Sequence, residues 1–526
     1  MADTTTMEET QPTRSQVTLD VPRQENEDVD TDLNMNTSRA AYIDEPGFGP
    51  QPVDPETGER LFRLPVDDKH RAMKLQWWRF DKPHMRAFFF AWATFFTAFF
   101  GWFAVAPLMP TIKNSTELGL TSKQARANSN VIAVAGTVLT RLVTGPLADR
   151  FGPRIPYMII MVVFSLPVYL IGTAFNYASF CTARFFIGFL GGSFVLTSFW
   201  TTQMFSPSIV GTANATAAGW GNLGGGVTNA LMPQFFNLMK AFGLNDDKAW
   251  RVVMVIPGTM CASIGILLYF FAQDLPDGNY KQLHASGALH KTNPWIAMRR
   301  AALNIRSWVL FVLYATCFGV ELVMNNTLAT YFTEQFGVDQ GLAGLIAGLF
   351  GLMNLFARAL GGISSDFCSK RWGMTGRLWV FFAVQCLEGL ALILFSRMTV
   401  LGAAIPVLII FSTFVQMSEG ATFGVVPFVD PTATASISGI VGAGGNVGAV
   451  TLGLVFSYVD SQPTAMLILG CIVVGCSFTV FLLMVGPFKV IDTQTATAVS
   501  AKNIDDELVE RTSSRSSEAS NAADTN

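Results

Sequence analysis

Stretches of twenty or more residues without a charged side chain recur along this chain, at 87–109, 155–183, 185–239, 252–273 and 431–459 among others. No other feature limits the fold so strongly. A helix needs about 20 mostly apolar residues to cross a bilayer. Only 14% of the residues are charged, where a soluble domain carries about a quarter. The chain therefore reads as an all-α polytopic membrane protein. Its net charge of −3 averages polar ends with a nearly charge-free middle and says nothing about partners. The seven cysteines are scattered, mostly in apolar runs, without metal-ligand spacing or a secreted disulfide pattern.

Twelve spans are expected, near 87–109, 128–147, 155–176, 180–205, 209–236, 251–273, 306–332, 340–364, 377–396, 401–424, 434–458 and 463–487. The run 185–239 must hold two helices, with Ser206-Pro207-Ser208 as the turn. This divides the chain into a disordered N-terminal tail (1–85), a six-helix half (86–273), a linker loop (274–305), a second six-helix half (306–487) and a disordered C-terminal tail (488–526). The first 80 residues are polar and acidic, unlike a cleavable signal peptide. The loops with Arg150/Arg154, Arg299/Arg300 and Lys370/Arg371/Arg377 share one side, so the positive-inside rule puts both termini in the cytoplasm. The sequon Asn114-Ser115-Thr116 then faces outside. Lys69 to Arg86, with Trp77, Trp78 and Phe80 interleaved, suits a segment lying on anionic membrane lipid.

A repeat organises these spans. TRLVTGPLADRFGPR at 140–154 returns as ARALGGISSD at 357–366. Each copy holds an arginine (Arg141, Arg358), a glycine four residues on (Gly145, Gly362) and an aspartate eight residues on (Asp149, Asp366). Eight helical residues rise about 12 Å, so aspartates at the membrane surface place both arginines near mid-bilayer. An arginine near a helix end can snorkel to the headgroups, but two at matched repeat positions point to an anion site between the halves. A guanidinium is planar, forked and always charged, which suits a planar oxyanion.

Two glycine-rich pieces lie in equivalent spans, AGWGNLGGG (218–226) and GAGGNVGA (442–449). Close helix packing explains the glycines. It does not explain Asn222 and Asn446, whose amides need partners in lipid. The three acids within spans, Glu321, Glu388 and Glu419, read as counter-charges to buried arginines or as proton carriers. Glu388 reads as a structural partner or near-interface residue. Glu321, two turns from Tyr314 on roughly the same face, is the first proton-coupling candidate.

The loop motif with Gly145, Asp149, Arg150, Gly152 and Arg154 resembles G-x-x-x-D-R-x-G-x-R of the major facilitator superfamily. The copy around Asp366 departs from it, with Phe367 in place of the arginine. Arg184 in RFFIG resembles that superfamily's fourth-helix arginine motif. The paired glycine pieces, with FGVEL (318–322) and SEGATFGVVP (418–427), resemble the signatures of the nitrate/nitrite porter family in its plant, algal and fungal high-affinity form. The resemblance covers about 85–487. It implies the major facilitator fold, 12 transmembrane helices in two pseudo-symmetric halves. It also implies nitrate held by Arg141 and Arg358, with Asn222, Asn446, Gly221 and Gly445 beside it. Tyr314, Phe318 and Phe194 would be its aromatic walls.

Moving one anion into a cell at −100 mV costs about 2.3 kcal/mol, so accumulation needs a driving ion. The resemblance favours proton symport at the plasma membrane. Nitrite as substrate, nitrate/nitrite exchange, and a nitrate receptor with incidental transport stay open. Some relatives need a small single-span accessory subunit. With four histidines and no catalytic constellation, the chain does not read as an enzyme, and no cofactor, metal or nucleic-acid partner is expected.

Overall fold

The computed structural model describes residues 41–45, 49–54, 57, 59–113, 115–287, 293–338, 340–459, 461–485, 489 and 490. Its helices include α1 (His84–Phe103), α2 (Lys123–Phe151), α3 (Arg154–Val163), α4 (Tyr177–Ile187), α5 (Ser193–Met204) and α6 (Val210–Ala241). They continue with α7 (Val255–Phe271), α8 (Tyr280–Ala285), α9 (Pro294–Leu303), α10 (Ile305–Phe336) and α11 (Gln340–Leu352). The last four are α12 (Ala357–Phe395), α13 (Leu401–Val425), α14 (Thr434–Tyr458) and α15 (Gln462–Ser477).

Among the described residues, ten helical segments are long and apolar enough to cross a membrane. One of them, Leu345–Phe395, is 51 residues long and covers two expected spans. A straight helix of that length would measure about 77 Å, far beyond the hydrocarbon thickness. The chain breaks it at Gly373, whose φ of 59° lies in the left-handed region that favours glycine. The expected span 209–236 is not among the ten. Its helix, α6, has 32 residues, rich in Gly, Ala, Thr and Asn. The twelve-span expectation thus depends on dividing the first segment and counting the second.

Two of the contacts that join the halves of the chain are related by the repeat. In one, α2 packs on α14, where a Cβ on Gly145 would lie 2.6 Å from the carbonyl of Ala435. In the other, α12 packs on α6, where a Cβ on Gly362 would strike the carbonyl of Gly211. Glycine is required at both because backbone meets backbone. Residues 434–446 of α14 are buried throughout, and 210–222 of α6 nearly so, whereas the later turns of both helices are largely half-buried or exposed. The bundle is therefore shut at the end where these two helices begin.

That end also carries the linker and the segment before α1. The expected disorder of 1–85 falls partly outside the described residues, but the structure differs over 59–85. Ala72 pairs with Phe205 at the α5–α6 turn, donating to the Met204 carbonyl at 2.9 Å and accepting from Ser206 at 2.9 Å. The Gln51 amide holds both backbone groups of Val66, and a hairpin of β1 (Ala41–Glu45) and β2 (Gly49–Val53) precedes it. His70 meets Asp277 of the linker at 2.6 Å. Overall polarity suggested disorder, yet Leu64, Val66 and Ala72 are buried and supply enough apolar contact to dock the segment. Trp77 turns inward against Trp220, 5.5 Å between rings, while Trp78 and Phe80 are exposed. Asn114 of the sequon and most of 488–526 lie outside the described residues.

Candidate functional site

The repeat arginines come together. The guanidinium of Arg141 lies 5.0 Å from the ring centre of Phe194, and that of Arg358 lies 5.8 Å from the same ring. Both side chains are fully buried. Arg141 donates from Nε to the carbonyl of Gly191 at 3.1 Å and from Nη1 to the carbonyl of Gly442. Among the described residues it has no ion pair, and its Nη2 has no hydrogen-bond partner. Arg358 differs: its Nη1 is ion-paired to Glu419, and its Nη2 donates to the hydroxyl of Tyr314 at 3.0 Å.

An aromatic box surrounds the pair. Tyr314 and Phe318 are nearly parallel, 5.3 Å apart, and Phe194 continues the stack 6.0 Å from Tyr314. Phe423 meets Phe194 and Tyr314 edge-on, at 4.6 and 5.1 Å. Arg141 also lies over Phe318, at 5.4 Å. Ring faces carry negative charge density and attract cations, and the rings keep water away, which strengthens any charge contact within.

Asn222 and Asn446 are both buried, and each has an Oδ1 without a partner. Asn446 donates to the Gly442 carbonyl at 3.5 Å, so it shares that acceptor with Arg141. Asn222 donates to Glu321 at 3.5 Å, and Asn354 donates to the other oxygen of Glu321 at 2.8 Å. Glu321 therefore meets the two amides and forms no ion pair with either arginine. Gly221 and Gly445 serve packing: a Cβ on Gly221 would enter the ring of Phe95, and one on Gly445 would lie 2.5 Å from Phe318. Glu388 is fully buried, faces Ser418, and forms no ion pair among the described residues.

The two aspartates of the repeat cap helices of the opposite half. Asp149 accepts from Ala435 N at 3.2 Å, Ser436 N at 3.0 Å and the Ser436 hydroxyl at 2.6 Å, at the start of α14. Asp366 accepts from Gly211 N at 3.2 Å, Thr212 N at 2.5 Å and the Thr212 hydroxyl at 2.6 Å, at the start of α6. A carboxylate at a helix N-terminus satisfies free N–H groups and meets the positive end of the dipole. Arg377, beyond the Gly373 break, reaches back to Asp366 at 2.5 Å, so the second copy regains an arginine that its sequence had lost. Gly152 adopts φ 77° beside Asp274, which accepts from the backbone of Arg154 at 2.9 Å. Arg150 lies over Phe151 and pairs with neither aspartate. Arg184 donates to Asn130 at 2.9 Å and contacts neither repeat arginine among the described interactions.

Sequence reasoning did not single out Glu419 as the partner of Arg358, nor Phe423, Asn354 or Arg377. The first two lie in SEGATFGVVP, where the signal was present but the pairing was not.

A solved fold of this kind is the proton:xylose symporter XylE, with a TM-score of 0.58 and 15% identity over 76% of this chain and 96% of that one. At that identity the likeness speaks for the fold alone. The model of the Major Facilitator Superfamily matches residues 91–453. Among curated proteins, the high affinity nitrate transporter 2.5 of Arabidopsis thaliana is 40% identical over 429 residues, 81% of this chain and 85% of that protein. The high-affinity nitrate transporter 2.3 of rice, Oryza sativa subsp. japonica, is 38% identical over 83% of this chain and 86% of its own length. The chain belongs to the Major Facilitator Superfamily and, within it, to the family of high-affinity nitrate transporters.

Proposed function

We propose that the protein imports nitrate with protons across the plasma membrane by alternating access, with both termini in the cytoplasm. The names of its relatives support nitrate as the substrate. One observation carries the site: Arg141 is a fully buried cation with no ion pair and one unpartnered nitrogen among the described residues, across a shared aromatic ring from a second buried arginine. A buried charge without a partner is costly, and a planar anion between two guanidiniums meets that cost with forked hydrogen bonds.

The remaining residues take roles around this bridge. Phe194, Tyr314 and Phe318 wall the anion, and Asn222 and Asn446 offer amide donors from the two halves. Gly221 and Gly445 act by letting Phe95 and Phe318 approach. Asp149 and Asp366 hold the linker end closed, so this conformation opens to the other side, the exterior under the positive-inside orientation. Each charge-assisted bond they accept is worth about 1.5–3 kcal/mol, enough for a small set to set the balance between two states. Bound nitrate draws the halves together over the arginines, the outer end closes, and the caps give way. Trp78 and Phe80 rest on membrane lipid, and a small single-span subunit is a further partner of this reading. Two or more protons per nitrate make uptake electrically downhill. Glu321 acts on the anion at one remove, through Asn222 and through its neighbours Arg358 and Glu419.

The test is nitrate uptake into proteoliposomes under an inward proton gradient, for wild type, Arg141→Lys and Arg358→Lys. Gradient-driven uptake in wild type and its loss in both variants support the reading. Uptake that requires internal nitrite instead of protons replaces symport by exchange. Unchanged uptake in both variants removes the site.

A further inference from the structure

We propose that Glu419 is the carboxyl through which a proton is coupled to anion binding, by competing with the anion for Arg358. This rests on the nitrate reading above and adds to it the residue and the means. Glu419 is fully buried on α13 and pairs with Nη1 of Arg358, while Tyr314 occupies Nη2. With this pair formed, Arg358 is already neutralised, and only Arg141 offers uncompensated charge. A nitrate bridging both arginines must share the Arg358 guanidinium with a carboxylate at contact distance. Like charges so close, in a site that excludes water, repel strongly. A protonated Glu419 neither repels the anion nor holds the arginine.

The exchange balances. A proton from water on the open side binds a Glu419 oxygen, the ion pair to Arg358 breaks, and nitrate takes the carboxylate's place. No other bond changes, and the net charge of the site is the same before and after. On the other side nitrate leaves, the Glu419 proton passes to water, and the ion pair re-forms. The empty site therefore returns with only Arg141 uncompensated, which lessens the repulsion that two bare arginines would set against closure.

The other acids are less suited to this role. The groups facing Glu419 are Arg358 from α12, Glu388 from the later turns of α12, Glu321, Tyr314 and Cys317 from α10, and Arg141 from α2. Glu321 accepts from two amides and contacts the Glu419 carboxyl itself, but it pairs with no arginine among the described residues, so its own protonation would free none. Glu388 forms no ion pair among the described residues, whereas Glu419 does, so protonation of Glu388 would free no arginine either. The exchange at Glu419 is electroneutral by itself, so a second proton requires another of these carboxyls.

Calorimetric titration of the purified full chain with sodium nitrate, in buffers of different ionisation enthalpy, counts the protons taken up on binding. We expect about one proton per nitrate, with an apparent Kd that weakens about tenfold per pH unit where Glu419 is ionised. Glu419→Gln should bind nitrate without proton uptake and with a Kd independent of pH. Glu419→Asp, which keeps a titratable group, should retain the uptake. Wild-type binding with no proton uptake overturns the proposal while leaving the nitrate reading intact. So does uptake that survives in Glu419→Gln and disappears in Glu321→Gln. Absence of nitrate binding by wild type at every pH overturns the reading beneath it as well.

Discussion

Arg141 and Arg358 occupy the same place in the repeat and live in different surroundings. Arg141 is held by two backbone carbonyls and two aromatic rings, with no carboxylate partner among the described residues. Arg358 is held by Glu419 and the Tyr314 hydroxyl. Duplication supplied the cation twice, but only one half supplied an anion for it. The site is therefore asymmetric in charge although symmetric in backbone. Under the proposed reading, the Arg141 side is free to take an anion, and the Arg358 side already holds a carboxylate.

Removing each arginine breaks the comparison most sharply. Arg358→Ala strands Glu419 in the interior and should destabilise the protein by about 3–5 kcal/mol, the usual cost of leaving a buried charge unpaired. Arg358→Ala/Glu419→Ala should recover much of that loss. Arg141→Ala strands no carboxylate and should cost about 1–2 kcal/mol, the range for lost hydrogen bonds. Thermal unfolding in detergent measures all three, and equal losses for the two single variants would erase the asymmetry.

The aspartate caps come next. Asp366→Asn leaves Arg377 without its carboxylate and should weaken the closed end by about 2–3 kcal/mol, whereas Asp149→Asn keeps an acceptor oxygen at the cap and loses charge assistance alone, about 1–2 kcal/mol. Spin labels at positions 151 and 431 should report longer distances in both variants, and a larger open fraction in Asp366→Asn. Gly145→Ala and Gly362→Ala put a methyl against backbone in both contacts, so each should cost about 1–3 kcal/mol of closure, the range for overpacking. The same labels would read it as a similar opening in the two variants.

The smallest effect concerns the segment that the repeat does not supply. The hydrogen bond to Asp277 raises the His70 pKa above its ordinary value, with partial burial opposing it. A raised pKa in the docked state means that the contact is strongest below about pH 6.5, the ordinary histidine value. It weakens as pH rises through the raised one. Hydrogen exchange of residues 59–82 should quicken over that rise, and His70→Ala should exchange quickly at every pH.

Much of this was legible in the sequence for physical reasons. Charge-free runs can only be satisfied by spanning helices, and two arginines at matched depth can hardly both be accidents. The aromatic partners Phe194, Tyr314 and Phe318 were legible through the family signature. Glu419 was visible as an acid within a span, but its pairing was not, because a contact between α12 and α13 depends on helix rotation that spacing does not fix. Arg377 escaped for a related reason: the Gly373 break turns the chain back, so residues eleven apart meet where a straight helix would carry them away from each other. The docking of 59–85 was hidden because a few apolar residues, Leu64, Val66 and Ala72, outweigh an otherwise polar composition.

A single anion bridging Arg141 and Arg358 would show itself in nitrate binding to the purified protein. The comparison is wild type, Arg141→Lys, Arg358→Lys and the double variant. If the two guanidiniums act as one clamp, each single variant loses most of the binding and the double variant is little worse, as for residues that act as a unit. Losses that simply add, or an Arg141→Lys variant that binds like wild type, would contradict the bridge.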